Sequence, residues 1–132
     1  MAAADGTAGI NGALAAVRAT LDRLDPRQAY AALAEGAVLV DTRPEFQRRA
    51  SGTVPGALLV ERNHLEWRCD PSSGASVAEA TGTDVHWIVM CDEGYASSLA
   101  AASLRSLGLA RATDLIGGFQ AWRRAGLPVT LP

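Results

Sequence analysis

The sequence predicts an α/β protein: an open, mostly parallel sheet of about five strands with helices on both faces. Short apolar runs alternate along the chain with stretches of helical periodicity, and each run stops abruptly at polar residues. A strand with one face in water would alternate apolar and polar positions. Continuous runs signal strands covered on both sides, as helices on both faces of a parallel sheet require.

Residues 1–12 are small and polar and are expected to be flexible, leaving 13–132 as one domain. Ala13 to Leu24 sets Leu14, Val17, Leu21 and Leu24 at helical spacing, and Asp25-Pro26 reads as an N-cap followed by proline at the first position of a second helix, stopped by Gly36. Val38-Leu39-Val40, Ala57 to Val60 and Val85 to Met90 read as covered strands, and Thr113 to Ile116 as a short fourth. Helices are expected at Glu45 to Ala50, Ser97 to Leu107 and Phe119 to Ala125, a turn near His64 to Arg68, and a long surface loop over Asp70 to Asp84.

The 132 residues, 48% of them apolar, supply one core. A net charge of -2 leaves no basic field to attract a phosphate backbone, so nucleic acid is excluded as a partner. Two cysteines, outside any CxxC pair and away from a histidine at ligand spacing, predict neither a disulfide scaffold nor a metal site, and a reducing cytoplasm is the expected compartment. No apolar stretch reads as a signal peptide or a membrane span.

In an open parallel sheet ligands bind beyond the carboxyl ends of the strands, and here those ends deliver Asp41-Thr42-Arg43, Glu61-Arg62 and Cys91 to one edge. Cys91 is the candidate nucleophile. The segment Asp92, Glu93, Gly94, Tyr95, Ala96, Ser97 is polar or small, so it can curl around the sulfur and aim backbone N–H groups at it while the following helix adds positive partial charge. Such donors favour a thiolate and would equally favour a persulfide anion. The competing reading, a cysteine filling a core strand, suits an apolar continuation rather than this one.

The chain resembles the rhodanese family from about Leu24 to Val129 in three stretches. Asp41-Thr42-Arg43 with Gly52-Thr53-Val54-Pro55-Gly56-Ala57 resembles the D-x-R and G-H-I-P-G-A segments. The Cys91 loop resembles C-x-x-G-x-R-[ST], and Gly117-Gly118-Phe119-Gln120-Ala121-Trp122 with Gly126-Leu127-Pro128 resembles the closing G-G-x-x-x-W…G-x-P signature. The resemblance implies a single-domain rhodanese-like fold and a sulfurtransferase cycle without cofactor: Cys91 takes sulfane sulfur from a small-molecule or protein donor and passes it to a thiol acceptor.

Two positions depart from the pattern. Thr53 stands where histidine is usual, and Ala96 where arginine is common. With Asp92 and Glu93 at the rim, a dianionic donor such as thiosulfate is expected to be a poor substrate. Arg43 reads as a structural ion pair with Asp41 or Glu45, Arg62 equally as a structural or a substrate-facing residue, and Asp41 as the group that orders the loop after its strand. Cys69, between Arg68 and Asp70, reads as an incidental surface residue; Trp87, Phe119 and Trp122 as packing residues; His64 and His86 as half-buried and without a ligand role. Rival functions are a silent rhodanese-like binding or regulatory module and, less well supported, a cysteine phosphatase or arsenate reductase, whose loops need the oxyanion-clamping arginine that Ala96 replaces. Oligomeric state is left open.

Overall fold

The computed structural model describes residues 8–132. The chain runs α1 (Gly9–Arg18), α2 (Pro26–Ala34), β1 (Val38–Asp41), α3 (Glu45–Ser51), β2 (Leu58–Leu59), a 3₁₀ turn (Arg62–His64) leading into α4 (Leu65–Cys69), β3 (Trp87–Met90), α5 (Ala96–Ser106), β4 (Thr113–Asp114) and α6 (Gly118–Arg124). The four strands pair in parallel in the order β2-β1-β3-β4. A fifth position exists beside β4 but holds a single parallel bridge, Leu24 to Leu115, since α2 begins two residues further on.

Successive side chains of the central strands point to opposite faces of the sheet. Val40, Trp87 and Val89 enter one apolar cluster with Leu65, Cys69, Ala100 and Leu104, while Leu39, Ile88 and Met90 enter a second with Ala29, Phe119 and Trp122. That alternation is the two-residue period of a strand, and both phases are buried because helices cover both faces. Each large side chain so buried contributes about 1.5–3 kcal/mol.

Element boundaries depart from the sequence expectation at the N-terminus. α1 begins at Gly9 rather than Ala13, inside the stretch expected to be flexible, and ends at Arg18, so Leu21 and Leu24 belong to an extended segment. Residues 1–7 of that stretch lie outside the described residues. At α2 the sequence signal is explicit: Asp25 accepts from the Gln28 amide at 2.8 Å, and Gln28 returns a side-chain acceptor to the Asp25 amide at 2.9 Å. Among the described residues, no helix is long and apolar enough to cross a membrane.

Candidate active site

Cys91 is the first residue beyond β3, and the backbone turns there into α5. Its sulfur accepts two backbone N–H groups, from Gly94 at 3.2 Å and Ser97 at 3.4 Å. The second belongs to the first turn of α5, so the helix terminus and the loop act on the same atom. Gly94 makes the turn possible: its φ is +88°, and a Cβ there would stand 2.6 Å from the Gly117 nitrogen.

A loop whose amides face inward turns carbonyls outward, and each buried carbonyl needs a donor. Here α6 supplies two of them. The Cys91 carbonyl accepts from the Phe119 amide at 2.9 Å and the Asp92 carbonyl from the Gln120 amide at 3.1 Å. The Gly94 carbonyl accepts from two arginines, Arg18 at 2.7 Å and Arg23 at 3.1 Å. Buried Asp114, at the end of β4, ties the assembly together by accepting from Ser97 and Ser98 hydroxyls, each at 2.8 Å, and from Arg23 at 2.9 Å.

The sulfur opens on a cleft of about 390 Å³ lined by Cys91, Asp92, Glu93, Tyr95, Ala96, Arg43 and Arg62, together with Thr42, Pro44 and Gln47. Gly94 and Ser97 lie beneath it and are buried. Two surface hollows of about 520 Å³ are larger, one beside Trp67 and Leu107 and one beside Gly36 and His86, but neither is lined by a cysteine. Chemistry rather than size singles out the smaller cleft.

The charged residues around it are not equivalent. Arg43 is fully buried and donates to Asp41 at 2.9 Å and to the Gly52 carbonyl at 2.7 Å, with its guanidinium stacked 4.0 Å from the Phe119 ring centroid. Its ion pair is therefore with Asp41, whereas Glu45 pairs with Arg49. Asp41 also accepts from the Arg43 amide at 3.0 Å, which orders the chain after β1. Asp92 is drawn back from the rim: its carboxylate accepts from Gln120 at 3.0 Å and lies 3.8 Å from the Arg43 guanidinium. Glu93 is exposed. Arg62 borders the cleft yet is held by Glu66 at 2.9 Å. Burial pushes the Glu66 carboxyl up, but hydrogen bonds from Ser103 and Arg62 outweigh it and hold the group below the usual carboxylate range.

Three side-chain placements correct the sequence expectation. Cys69 is not on the surface; it is fully buried, because Leu65 and Cys69 share the inward face of α4 while Trp67 and Arg68 face out. His64 is exposed rather than half-buried, and Asp92 does not present a free charge. Four neighbours of the loop were not singled out from the sequence: Arg18, Arg23, Gln120 and Asp114 reach it from 16 to 80 positions away. Only Asp114, a carboxylate at the end of a strand, had a pattern that marks it out.

The rhodanese-like domain model matches residues 25–125. The chain belongs to the rhodanese-like family. Within that family, thiosulfate sulfurtransferase GlpE of Pseudomonas entomophila is 38% identical over 101 residues, covering 76% of this chain and 84% of that protein. Among solved structures, a protein of unknown function from Rhodopseudomonas palustris, described as a possible tyrosine phosphatase, superposes with a TM-score of 0.83 at 30% identity, covering 94% of this chain and 96% of that one. The polysulfide-sulfur transferase homodimer of Wolinella succinogenes shares the rhodanese-like fold at a TM-score of 0.65 and 22% identity, over 90% of this chain and 85% of that one. The span matched by the family model begins after α1, so the helix that carries Arg18 lies outside it.

Proposed function

We propose that the protein is a sulfurtransferase that carries sulfane sulfur as a persulfide on Cys91. The observation that supports this reading is the pair of backbone amides on the Cys91 sulfur, at 3.2 and 3.4 Å, beneath a cleft open to solvent. Donors so placed match a negative charge on sulfur before the transfer and on the outer sulfur after it.

The Cys91 thiolate attacks the sulfane sulfur of a donor; a sulfur–sulfur bond forms, the donor's own bond to that sulfur breaks, and the remainder leaves with the electron pair. With thiosulfate the leaving group is sulfite. An acceptor thiolate then attacks the outer sulfur of the persulfide, taking it over and returning Cys91 as thiolate. No external oxidant or reductant is needed, and the protein alternates between two covalent states.

Intact mass after exposure in turn to thiosulfate, mercaptopyruvate and glutathione persulfide tests the proposal. A gain of one sulfur atom with at least one donor, lost in Cys91→Ser and retained in Cys69→Ser, is the expected result. No gain with any donor leaves a binding module as the reading, and label that follows Cys69 overturns the site.

A further inference from the structure

We infer that Arg18, the last residue of α1, is a positioning residue for Cys91 and supplies the cation that position 96 lacks. The inference rests on the reading of Cys91 as the sulfur carrier and goes beyond it by naming a cation held against a loop whose own side chains are acidic or neutral.

The loop from Cys91 to Ser97 contains Asp92 and Glu93 and no basic residue. Positive charge reaches it from behind. The Arg18 guanidinium donates to the Gly94 carbonyl at 2.7 Å and to the Ser98 hydroxyl at 3.0 Å, and it sits 5.6 Å from the Tyr95 ring centroid. Its contacts thus hold both the loop and the first turn of α5, the two segments whose amides meet the sulfur.

Arg23 touches the same carbonyl but differs in charge balance. Two of its nitrogens contact the Asp114 carboxylate, at 2.9 and 3.1 Å, so the pair is neutral as a unit. Among the described residues Arg18 meets no carboxylate. Half-buried, it keeps a charge that water screens only in part. A cation on the Gly94 carbonyl, one peptide group along from the Gly94 N–H that meets the sulfur, favours an anion in the cleft and fixes the turn that presents the donors. α1 packs on α5 and lies before the span matched by the family model.

The test compares Arg18→Lys and Arg18→Gln with the native protein by iodoacetamide alkylation of Cys91 across pH, with Cys69→Ala as the common background. Arg18→Gln should displace the alkylation profile to higher pH and slow the reaction at neutral pH about threefold, the size of effect a partly exposed charge gives, while Arg18→Lys retains most of the native rate. Adding Ala96→Arg to Arg18→Gln should restore the profile by placing a cation in the cleft lining. Coincident profiles for all folded variants overturn the inference. Should Arg18→Gln not fold, Arg18→His replaces it: its charge is lost near pH 6.5, so the alkylation profile should show a second step there, and a single native-like step overturns the inference. Alkylation requires no sulfur donor, so a protein that takes up no sulfur refutes the transferase proposal and leaves this result readable.

Discussion

The backbone amide of Phe119 donates to the carbonyl of Cys91 at 2.9 Å, so the start of α6 is hydrogen-bonded to the backbone of the proposed nucleophile. This contact explains the second glycine of the pair that precedes it. Gly118 has a φ of +62°, and a Cβ at that position would lie 2.5 Å from the Cys91 carbonyl oxygen and 2.6 Å from that of Asp92. Gly118→Ala should therefore cost about 1–3 kcal/mol in urea unfolding from backbone strain alone, with the displaced carbonyls adding to it. Cys91 alkylation should change with it, because the loop that aims two amides at the sulfur has moved. A variant of native stability and reactivity would show that the close approach is not required.

Glu93 and Asp92 should behave differently although they are neighbours of like charge. Asp92 is engaged by Gln120 and faces Arg43, whereas Glu93 is exposed on the cleft lining. Glu93→Gln should raise the rate with thiosulfate about two- to threefold, leave an uncharged donor unaffected, and lose the distinction as salt rises. Asp92→Asn should instead lower stability, since it leaves the Arg43 guanidinium facing a neutral amide. Equal changes with charged and uncharged donors for Glu93→Gln would remove charge from donor selection.

What the sequence revealed and hid follows from how far each signal travels. β1 and β3 were legible because Leu39, Val40 and Trp87 to Met90 are buried whichever way they point, which leaves an unbroken apolar run. β2 and β4 have two residues each, and the Thr113-Asp114 pair is polar because Asp114 serves the Cys91 loop rather than the core. Cys91 was legible from its place between a covered strand and a small, polar loop. Arg18 was not, because a helix-terminal arginine is ordinary in sequence and its meaning lies in a partner 76 positions away. The misreading of Cys69 came from weighing its charged neighbours above the four-residue spacing from Leu65 that puts both inside.

Burial pushes the Cys69 thiol up to about 12, with the Glu66 carboxylate acting in the same direction. An unfolded thiol ionises near pH 8.5, so between that pH and about 12 the unfolded state has lost a proton that the folded state keeps. The folded value lies above the unfolded one, and stability is therefore full below pH 8 and falls as pH rises through this window, by up to about 1.4 kcal/mol per pH unit. No lysine titrates in this window, because all 12 Lys and Arg positions are arginine. Urea midpoints taken from pH 8 to 10.5 should fall more steeply for the native protein than for Cys69→Ala. Parallel slopes would mean that the thiol ionises equally easily in both states.

Ala96→Arg tests whether the cleft itself is the approach route for donors. Ala96 is exposed, lines the cleft and opens α5, so a longer side chain there has room and reaches the mouth above Cys91. The substitution sets two effects against each other. A cation in the first turn opposes the helix dipole and should cost about 0.3–1 kcal/mol of stability. The same cation attracts anions toward the sulfur, and its effect on rate is not offset by the dipole, because the donor and the guanidinium meet only at the cleft mouth. Iodoacetate and iodoacetamide separate steering from thiolate formation, since they differ in charge and both react with the thiolate. Ala96→Arg should raise the iodoacetate rate several-fold more than the iodoacetamide rate, raise thiosulfate turnover in the same proportion, and lose both gains as ionic strength increases. A folded variant whose two alkylation rates keep their native ratio would mean that donors reach Cys91 along a path that does not pass residue 96.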